Sequence, residues 1–341
     1  MKKVFFANSL KGTVSNREVF LIYKKIFPSK NDIVVPVSDG GDGFLNLIKF
    51  IHPSCRKKVF KTFSPDGEKI DVEAFEFKNS LFIESAKIVG FLNVKDIFKN
   101  PEKRSSKGIG FILKKVYKDY EKIYLGIGGT TTFDLGAGSF EILGYETLKL
   151  PESEILIDFK KNKDSIILKN LISVCDVRSP LDGRLGSLTF LKQKGVKDED
   201  LKFYGSIFKY VAKKYDVSGK EFLGSGGGLG FFTYSVGGRN ISSWEFLSKK
   251  IKIDNLIKES NFVVINEGKF DDQSLMGKIN GEIVKRSLKY GKKVFVITGE
   301  VDIKSKKLKK ALTFITLDKK VKDYKIEFFE KTKILKEIVD G

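Results

Sequence analysis

Apolar runs alternate with amphipathic helical patterns at both ends of the chain, which indicates a parallel α/β fold. An apolar run at residues 3–7 precedes a helix that begins at Ser15 with a capping box closed by Glu18. The last third of the chain repeats this alternation. The expected strands are 3–7, 33–37, 262–265, 294–298 and 312–317, and the expected helices include 44–51, 281–290 and 329–339. Five such strands predict a flavodoxin-like sheet assembled from both chain ends.

Between these ends the pattern changes to short alternating strands and glycine-rich stretches. The change begins near residue 56, and Pro65-Asp66-Gly67 gives a turn signal between two strands. The sequence therefore predicts two α/β domains. One is a discontinuous flavodoxin-like (Rossmann-like) domain with a parallel sheet, over residues 1–55 and 245–341. The other is an inserted α/β domain with a mixed sheet, over residues 56–244.

Composition narrows the class of protein. The 341 residues are 41% hydrophobic and 31% charged, as in a globular protein, and no apolar run approaches the roughly 18 residues that a membrane helix needs. Two cysteines provide no disulfide framework, and the single histidine, His52, excludes a zinc site built on two histidines. We therefore expect a cytoplasmic protein whose acid and base groups are Asp, Glu, Lys or Tyr.

The formal net charge of +20 would suit a nucleic-acid-binding protein. However, the lysines are spread over the whole sequence, and no nucleic-acid-binding motif is present. Lys, Ile, Phe and Asn are all abundant and share A/T-rich codons, so genome bias is the simpler explanation. A positive field of this kind would still attract anionic substrates.

Residues 125–138 (LGIGGTTTFDLGAG) carry the clearest sign of ligand binding. An apolar strand runs into two glycines and three threonines, and further glycines open a helix. Glycines allow the backbone to approach an anion closely, and helix N-termini favour negative charge. The pattern predicts a phosphate or carboxylate cradle, although a glycine-rich turn that packs a helix on a sheet has the same pattern. The spacing matches neither standard nucleotide-binding fingerprint.

Other stretches combine carboxylates or lysines with glycine. Three expected loops carry carboxylates flanked by glycine: Asp39 with Asp42, Asp134, and Glu267 with Asp271. Two further stretches pair a lysine with glycine, Gln193-Lys194-Gly195 and Gly277-Lys278. Phosphoryl transfer requires carboxylates for Mg²⁺, cations and N–H groups for phosphate, and one carboxylate as a base. Turn-forming Asp-Gly pairs and solvated lysines are the alternative interpretation. Five stretches of this kind in one chain favour phosphoryl transfer.

The order of these motifs is more specific than any one of them. They are SDGGDG at 38–43, GIGGTTTFD at 126–134, CDV at 175–177 with Pro180-Leu181, QKG at 193–195, GGLG at 227–230, and EGKFD at 267–271 with Gln273 and Gly277-Lys278. In order and spacing, from about Asn8 to Thr298, the chain resembles the class I glycerate kinases. The resemblance implies an ATP- and Mg²⁺-dependent kinase of D-glycerate that most often forms 2-phosphoglycerate. It also implies two α/β domains with the active site in the cleft between them.

The resemblance also implies roles for individual residues. The expected catalytic residues are Asp176, Asp39, Lys194 and Lys11. Either aspartate would be the base that orients the glycerate hydroxyl, and the lysines would bind the glycerate carboxylate or the transferring phosphate. Glu267 and Asp271 would hold Mg²⁺. The expected substrate- or phosphate-binding residues are Ser9, Gly40, Gly41, Asp42, Gly128, Gly129, Thr130, Thr132, Asp134, Gln193, Gly227, Gly228 and Lys278.

Four positions depart from the family pattern. Asn8 stands where the family usually has Asp before Ser9. Phe133 and Leu135 flank the Asp of the central motif where the family has Asn and Gly, and Asn266 replaces the Gly of a Thr-Gly-Glu-Gly motif. Because Asn tolerates positive φ, we expect Asn266 to keep the glycine conformation. The changes at Asn8 and Phe133 bear on substrate preference more than on phosphoryl transfer.

Two other functions remain open at this stage. A catalytically altered homologue would bind a related hydroxy acid or a nucleotide, and ligand-induced stabilisation without ATP turnover would identify it. A basic nucleic-acid-binding protein would show a steep, salt-dependent affinity for nucleic acid and no kinase activity. With the kinase as the preferred interpretation, we expect a small-molecule substrate, no nucleic-acid or membrane partner, and a monomer or homodimer.

Overall fold

The computed structural model describes residues 2–10, 13–175, 177–183, 188–275, 277–318 and 320–340. The chain divides into two compact units. The first consists of Met1–Ser38, Asp42–Ile51 and Ser243–Gly341, and the second of Asp39–Gly41 and His52–Ser242. No helix in the described part of the chain is long and apolar enough to span a bilayer.

The described residues form thirteen strands. They are β1 (Lys3–Ala7), β2 (Asp32–Pro36), β3 (Arg56–Phe63), β4 (Lys69–Phe77), β5 (Ser80–Glu84), β6 (Lys122–Ile127), β7 (Glu146–Lys149), β8 (Leu156–Lys160), β9 (Leu171–Cys175), β10 (Arg239–Ser242), β11 (Phe262–Asp271), β12 (Lys293–Asp302) and β13 (Thr313–Thr316).

The same residues form thirteen α-helices, several of them a single turn. They are α1 (Asn16–Ile26), α2 (Phe44–Ile51), α3 (Ala86–Val89), α4 (Lys107–Val116), α5 (Ala137–Ile142), α6 (Leu188–Leu191), α7 (Leu201–Lys214), α8 (Ser225–Ser235), α9 (Ser243–Ile251), α10 (Ile253–Glu259), α11 (Ile279–Lys289), α12 (Lys306–Ala311) and α13 (Tyr324–Asp340).

The first unit contains a five-stranded parallel sheet in the order β13-β12-β11-β1-β2. Numbered along this unit, the order is 2-1-3-4-5, which is the flavodoxin-like order. All five residues of β1 are buried, as expected for a parallel strand covered on both faces. Helix α1 begins at the capping box of Ser15 and Glu18 and buries Val19, Ile22 and Tyr23. The predicted fold class is confirmed for this sheet.

The second unit contains a six-stranded mixed sheet in the order β10-β9-β6-β5-β4-β3. Strands β5, β6, β9 and β10 pair in parallel, whereas β3 and β4 pair antiparallel. The separate hairpin β7-β8 adds Phe159 to an aromatic cluster, in which its ring stacks on Phe140 at 4.4 Å between centroids. The predicted mixed sheet is therefore also present.

Strands β11 and β12 continue well beyond the predicted segments 262–265 and 294–298. Strand β1 pairs with β11 only as far as Ile265, and β13 pairs with β12 only as far as Thr298. Beyond these points β11 and β12 pair with each other as far as Asp271 and Asp302. The expectation that Glu267 and Asp271 lie in a loop is therefore wrong. Residues 266–271 and 299–302 are mostly polar residues and glycines, so they do not continue the apolar runs that predicted the two strands.

The glycine run 224–230 is too short and too close to the apolar Phe231 and Phe232 for a flexible linker, which predicts a tight backbone element. The structure shows that it opens helix α8 through three successive glycines with positive φ, Gly226, Gly227 and Gly228. After this kink the chain continues as a buried helix that carries Phe231 and Phe232. The sequence did not indicate the helix that follows these glycines.

Candidate active site

The segment 39–41 packs backbone to backbone on the glycine-rich loop after β6. The Gly128 N–H donates to the carbonyl oxygen of Gly40 at 3.2 Å. A Cβ atom on Gly128 would lie 2.6 Å from the nitrogen of Gly41, and one on Gly40 would lie 2.3 Å from the carbonyl oxygen of Val174. Since no side chain fits into these gaps, the glycines allow the two segments to meet. This contact brings predicted phosphate-binding residues from two distant motifs together.

Asp39 lies at the start of this segment and is only 9% exposed. Its carboxylate makes no hydrogen bond and no ion pair with another described residue. The carboxylate is therefore not engaged in holding the described part of the fold together, and it remains available to a ligand at this glycine segment.

Lys194 is bound to the glycine-rich loop. Its Nζ atom donates to the carbonyl oxygen of Thr130 and, at 2.8 Å, to the Thr130 hydroxyl. The lysine side chain is buried, whereas the neighbouring Gln193 is exposed. The expectation that Lys194 and Thr130 belong to one site agrees with this contact.

Arg104, which no sequence motif singles out, fixes the turn that carries Lys194. Its buried guanidinium donates to the carbonyl oxygens of Lys194 at 2.8 Å, Asp96 at 2.9 Å and Ile97 at 2.7 Å. Burial lowers the pKa of Arg104, and the nearby Asp66 carboxylate opposes this shift. The sequence contains 63 lysines and arginines, and nothing in it distinguishes Arg104 from the rest.

Asp134 is predicted to bind substrate or phosphate, but its buried carboxylate already accepts four hydrogen bonds. The donors are the N–H and hydroxyl of Ser106, at 2.8 and 2.7 Å, and the N–H groups of Gly136 and Gly138, at 3.1 and 3.2 Å. Burial raises the pKa of Asp134, and these donors oppose the shift. The carboxylate therefore holds the start of α5 against the start of α4. Ser106, which has no motif of its own, is the partner that the sequence did not reveal.

A second glycine stretch packs beneath this loop. A Cβ atom on Gly227 would lie 2.0 Å from the carbonyl oxygen of Thr132, and one on Gly228 would lie 2.7 Å from the Cα of Leu135. Thr132 is buried, and its hydroxyl has no hydrogen-bond partner in the described part of the chain. Gly227 and Gly228 therefore pack tightly against the loop, and phosphate binding by Thr132, Gly227 and Gly228 stays a prediction.

The departures at positions 133 and 135 are both accommodated in the core. The ring of Phe133 is buried against Tyr204, with centroids 5.3 Å apart in a T-shaped arrangement. Leu135 is fully buried and has a φ of 56°, in the left-handed region where the family has glycine. Phe133 thus provides apolar packing in place of a polar side chain, and Leu135 provides apolar packing in place of a glycine that adopts a positive φ more easily.

The departures at positions 8 and 266 contact each other in the first unit. The side chain of Asn266 accepts from the N–H of Asn8 at 3.1 Å and donates to its carbonyl oxygen at 2.7 Å. Asn266 lies in β11 and does not have a positive φ, so the expected glycine-like conformation is wrong. Its carboxamide instead joins the ends of β1 and β11, where the strand order reverses and flavodoxin-like folds bind ligands. The N–H of Ser9 donates to the Asn8 side chain at 2.9 Å.

Glu267 follows Asn266 and lies near two groups at the start of α11. Asn280 Nδ2 donates to the carbonyl oxygen of Asn266 at 2.9 Å and approaches Glu267 Oε2 at 3.4 Å. The Nζ atom of Lys278 lies 3.9 Å from Glu267 Oε1. The predicted residues Glu267 and Lys278 are thus brought together, with Asn280 as a partner that no motif indicated.

Asp271 lies apart from Glu267 on the same strand. The two Cα atoms are about 13 Å apart at the ~3.3 Å rise per residue of a parallel strand. Asp271 accepts from the Ser274 N–H at 3.1 Å and so holds the turn that follows the strand. No group of three or more His, Cys, Asp or Glu side chains in the described residues could hold a metal. Mg²⁺ in nucleotide sites often uses only one or two carboxylates with phosphate oxygens and water, which Glu267 fits.

A buried asparagine organises the loop after β2. Asn16 Nδ2 donates to the carbonyl oxygens of Val37 at 3.1 Å and Gly43 at 3.0 Å, and its Oδ1 accepts from Asn46 at 2.9 Å. Asp42 in this loop is exposed. Two predicted catalytic residues, Lys11 and Asp176, lie outside the described residues.

Comparisons with known proteins agree on one family. A family model described as the glycerate kinase family matches residues 4–337. A protein named glycerate 2-kinase from Escherichia coli K12 is 29% identical over 329 residues, which cover 88% of this chain and 86% of that protein. A glycerate kinase from Halalkalibacterium halodurans is 28% identical over 319 residues, covering 87% and 83%.

The fold is also found in a solved structure. A crystal structure from Salmonella typhimurium LT2, assigned by its name to glycerate kinase 2, has a TM-score of 0.69 and 22% identity. The match covers 99% of this chain and 97% of that one. At this identity the match supports the α/β fold, and the family model supports the assignment. Because that model spans nearly the whole chain, the chain belongs to the glycerate kinase family.

Proposed function

We propose that this chain transfers the γ-phosphoryl group of ATP to the 2-hydroxyl of D-glycerate. The relative named glycerate 2-kinase supports the 2-position. The observation that carries the proposal is the buried Asp39 carboxylate, which has no partner among the described residues and lies beside the glycine-rich loop. Phosphoryl transfer requires a base and preorganised donors for the phosphate charge, and these groups supply both.

In the proposed reaction the glycerate 2-hydroxyl oxygen attacks the γ-phosphorus of ATP. The bond from this phosphorus to the β,γ-bridging oxygen breaks, and ADP leaves. The hydroxyl proton passes to the Asp39 carboxylate, or to Asp176 if that residue is the base. The N–H groups of Gly129 and Thr130 and the Lys194 ammonium would stabilise the charge of the transferring group. Lys11 is the proposed partner of the glycerate carboxylate.

Mg²⁺, when bound, would neutralise phosphate charge and orient the phosphate chain. We assign Glu267 as its protein ligand, with Lys278 beside it and Asp271 as the residue that holds the following turn. Glu267→Gln should therefore raise the Mg²⁺ concentration needed for half-maximal activity more than Asp271→Asn does. Equal effects of the two substitutions would contradict this assignment. We also propose that the two compact units act as domains, with boundaries near residues 55 and 245.

The test is turnover of ATP by the purified protein with D-glycerate, with the product identified by phosphorus NMR. Asp39→Asn should lower kcat by about 10²- to 10⁴-fold, because the hydroxyl loses its base, and should leave KM within a few-fold. Asp119→Asn, an exposed aspartate of the same chain, is the matched control. Activity of Asp39→Asn within a few-fold of the unmodified protein would exclude Asp39 as the base. No phosphoglycerate from the folded, unmodified protein would refute the function.

A further inference from the structure

A cavity of about 700 Å³ lies entirely within the second unit. Three segments line it: 98–103, 150–153 and a stretch from Gly195 to Tyr204 that includes the start of α7. Cavities of about 300–1,000 Å³ accommodate ligands the size of a drug or a nucleoside. None of the motifs in the sequence points to this cavity except at Gly195, which follows Lys194.

Aromatic rings form one side of the cavity. Phe98 is 73% exposed and Phe203 is 51% exposed, which is unusual for such large apolar side chains. Tyr204 lies beside them and also packs on Phe133 of the glycine-rich loop, with ring centroids 5.3 Å apart. Exposed rings gathered at a concave surface offer flat faces on which a planar ligand can stack.

Charged groups of both signs surround these rings. The side chains of Lys99, Lys103, Glu102 and Asp200 line the cavity, and none of them forms an ion pair with another described residue. Burial raises the pKa of Tyr204, and the nearby carboxylates of Glu102 and Asp200 add to this shift. The cavity therefore offers acceptors for hydroxyl groups and cations for phosphate beside an aromatic surface.

The walls of the cavity are held together by one buried side chain and by close contacts between their backbones. Arg104 binds the carbonyl oxygens of Ile97 and Lys194 at once. A Cβ atom on Gly195 would lie 1.7 Å from the carbonyl oxygen of Ile97, so these segments are in close contact. The N–H of Glu154 donates to the carbonyl oxygen of Glu102 at 2.9 Å, which joins the third wall. The cavity is thus preformed, and a ligand need not pay to order it.

We propose that this cavity binds the adenine and ribose of ATP, an inference that rests on the proposed function. The rings of Phe98, Phe203 and Tyr204 would stack on the base, and the carboxylates of Glu102 and Asp200 would accept hydrogen bonds from the ribose hydroxyls. The lysines would attract the phosphates. Lys194 directly precedes Gly195 of the cavity wall and binds Thr130, so it links the nucleoside cavity to the phosphate loop.

The test compares two aromatic residues on α7. Phe203→Ala removes a ring from the cavity, whereas Tyr210→Ala removes a ring of nearly equal exposure, 50%, from the same helix outside the cavity. Stacking of one base on an aromatic side chain corresponds to about a 10-fold change in affinity. Phe203→Ala should therefore raise the Kd for ADP, measured by calorimetry, and the KM for ATP by about 10-fold, with the KM for glycerate unchanged. Tyr210→Ala should change none of these values.

Two further measurements make the outcome decisive. Adenosine should displace ADP from the unmodified protein, and this competition should weaken in Phe203→Ala and in Phe98→Ala, two variants that each remove a largely exposed ring. The Tm of each variant shows whether it is folded. The unmodified protein could form phosphoglycerate while both variants bind ADP within twofold as tightly as the unmodified protein does. That result would overturn the cavity assignment and leave the proposed function intact. Absence of ATP-dependent phosphoglycerate formation would instead refute the proposed function.

Discussion

Leu135 allows backbone strain to be separated from side-chain burial. Its φ of 56° is costly for any residue with a Cβ, while its side chain is 0% exposed. We compare Leu135→Gly with Leu135→Ala, because both remove the buried side chain and only glycine relieves the strain. The same pair at Leu113, an equally buried residue within helix α4, is the matched control.

The expected order of stability of the four variants follows from three contributions to the free energy of unfolding. Loss of a buried leucine side chain costs about 2–5 kcal/mol at either position. At an ordinary helical position glycine is about 0.5–1 kcal/mol worse than alanine. The left-handed conformation costs a residue with a Cβ about 1–2 kcal/mol. At position 135 the last effect exceeds the second, so Leu135→Gly should be the more stable variant by about 0.5–1 kcal/mol, whereas Leu113→Gly should be the less stable one.

Urea denaturation of the four variants measures these differences as changes in midpoint at constant m-value. A reversal of the alanine and glycine order between the two positions supports the reasoning. If Leu135→Ala is more stable than Leu135→Gly, then the left-handed backbone conformation at this position does not lower the free energy of unfolding as expected.

Three other substitutions test separate contacts. Asp134→Asn should lower the unfolding free energy by about 2–4 kcal/mol, because an amide group cannot accept all four donors; calorimetric Tm measures it, and an unchanged Tm would contradict the contacts. Arg104→Met should leave buried carbonyl oxygens without donors and release the turn of Lys194, lowering both Tm and kcat; a change in Tm alone would separate Arg104 from catalysis. Tyr120, Arg56 and Lys58 hold the pKa of Glu76 at about 2, below its unfolded value. This stabilisation is complete above about pH 4.5 and is lost as the pH falls towards 2, so Glu76→Gln should destabilise the protein more at pH 7 than at pH 3.

The elements that the sequence predicted well are those encoded locally. The strand at 3–7 and the helix capped by Ser15 and Glu18 are written in consecutive residues, and the structure confirms both. The order of five parallel strands also followed, because alternating strands and helices leave few topologies open. The glycines of segments 39–41 and 128–129, which the sequence grouped as phosphate-binding residues, lie in contact with each other, and their phosphate-binding role stays a prediction.

The contacts that the sequence missed join residues far apart in the chain. Asn266 bonds to Asn8 across 258 positions, so two departures that looked independent form one hydrogen-bonded pair. Arg104 reaches the turn of Lys194 across 90 positions. Asp134 carries a motif that suggests a ligand, but only its partner Ser106, 28 positions away, shows that the carboxylate is already saturated. Residue type and spacing do not reveal such partners.

The extension of β11 and β12 beyond their neighbours has a consequence for the timescale of local motion. Each strand of this extension pairs with only one neighbour, and the salt bridges of Lys269 with Glu300 and Asp302 are exposed. The amides of the extension should therefore exchange with solvent through local opening. Amides of Val263 to Ile265, which lie between two strands, should exchange only when the whole sheet opens. Glu267 lies at the boundary between these two regions, next to the hydrogen-bonded side chain of Asn266. Asp271 lies at the end of the segment that we expect to open more often.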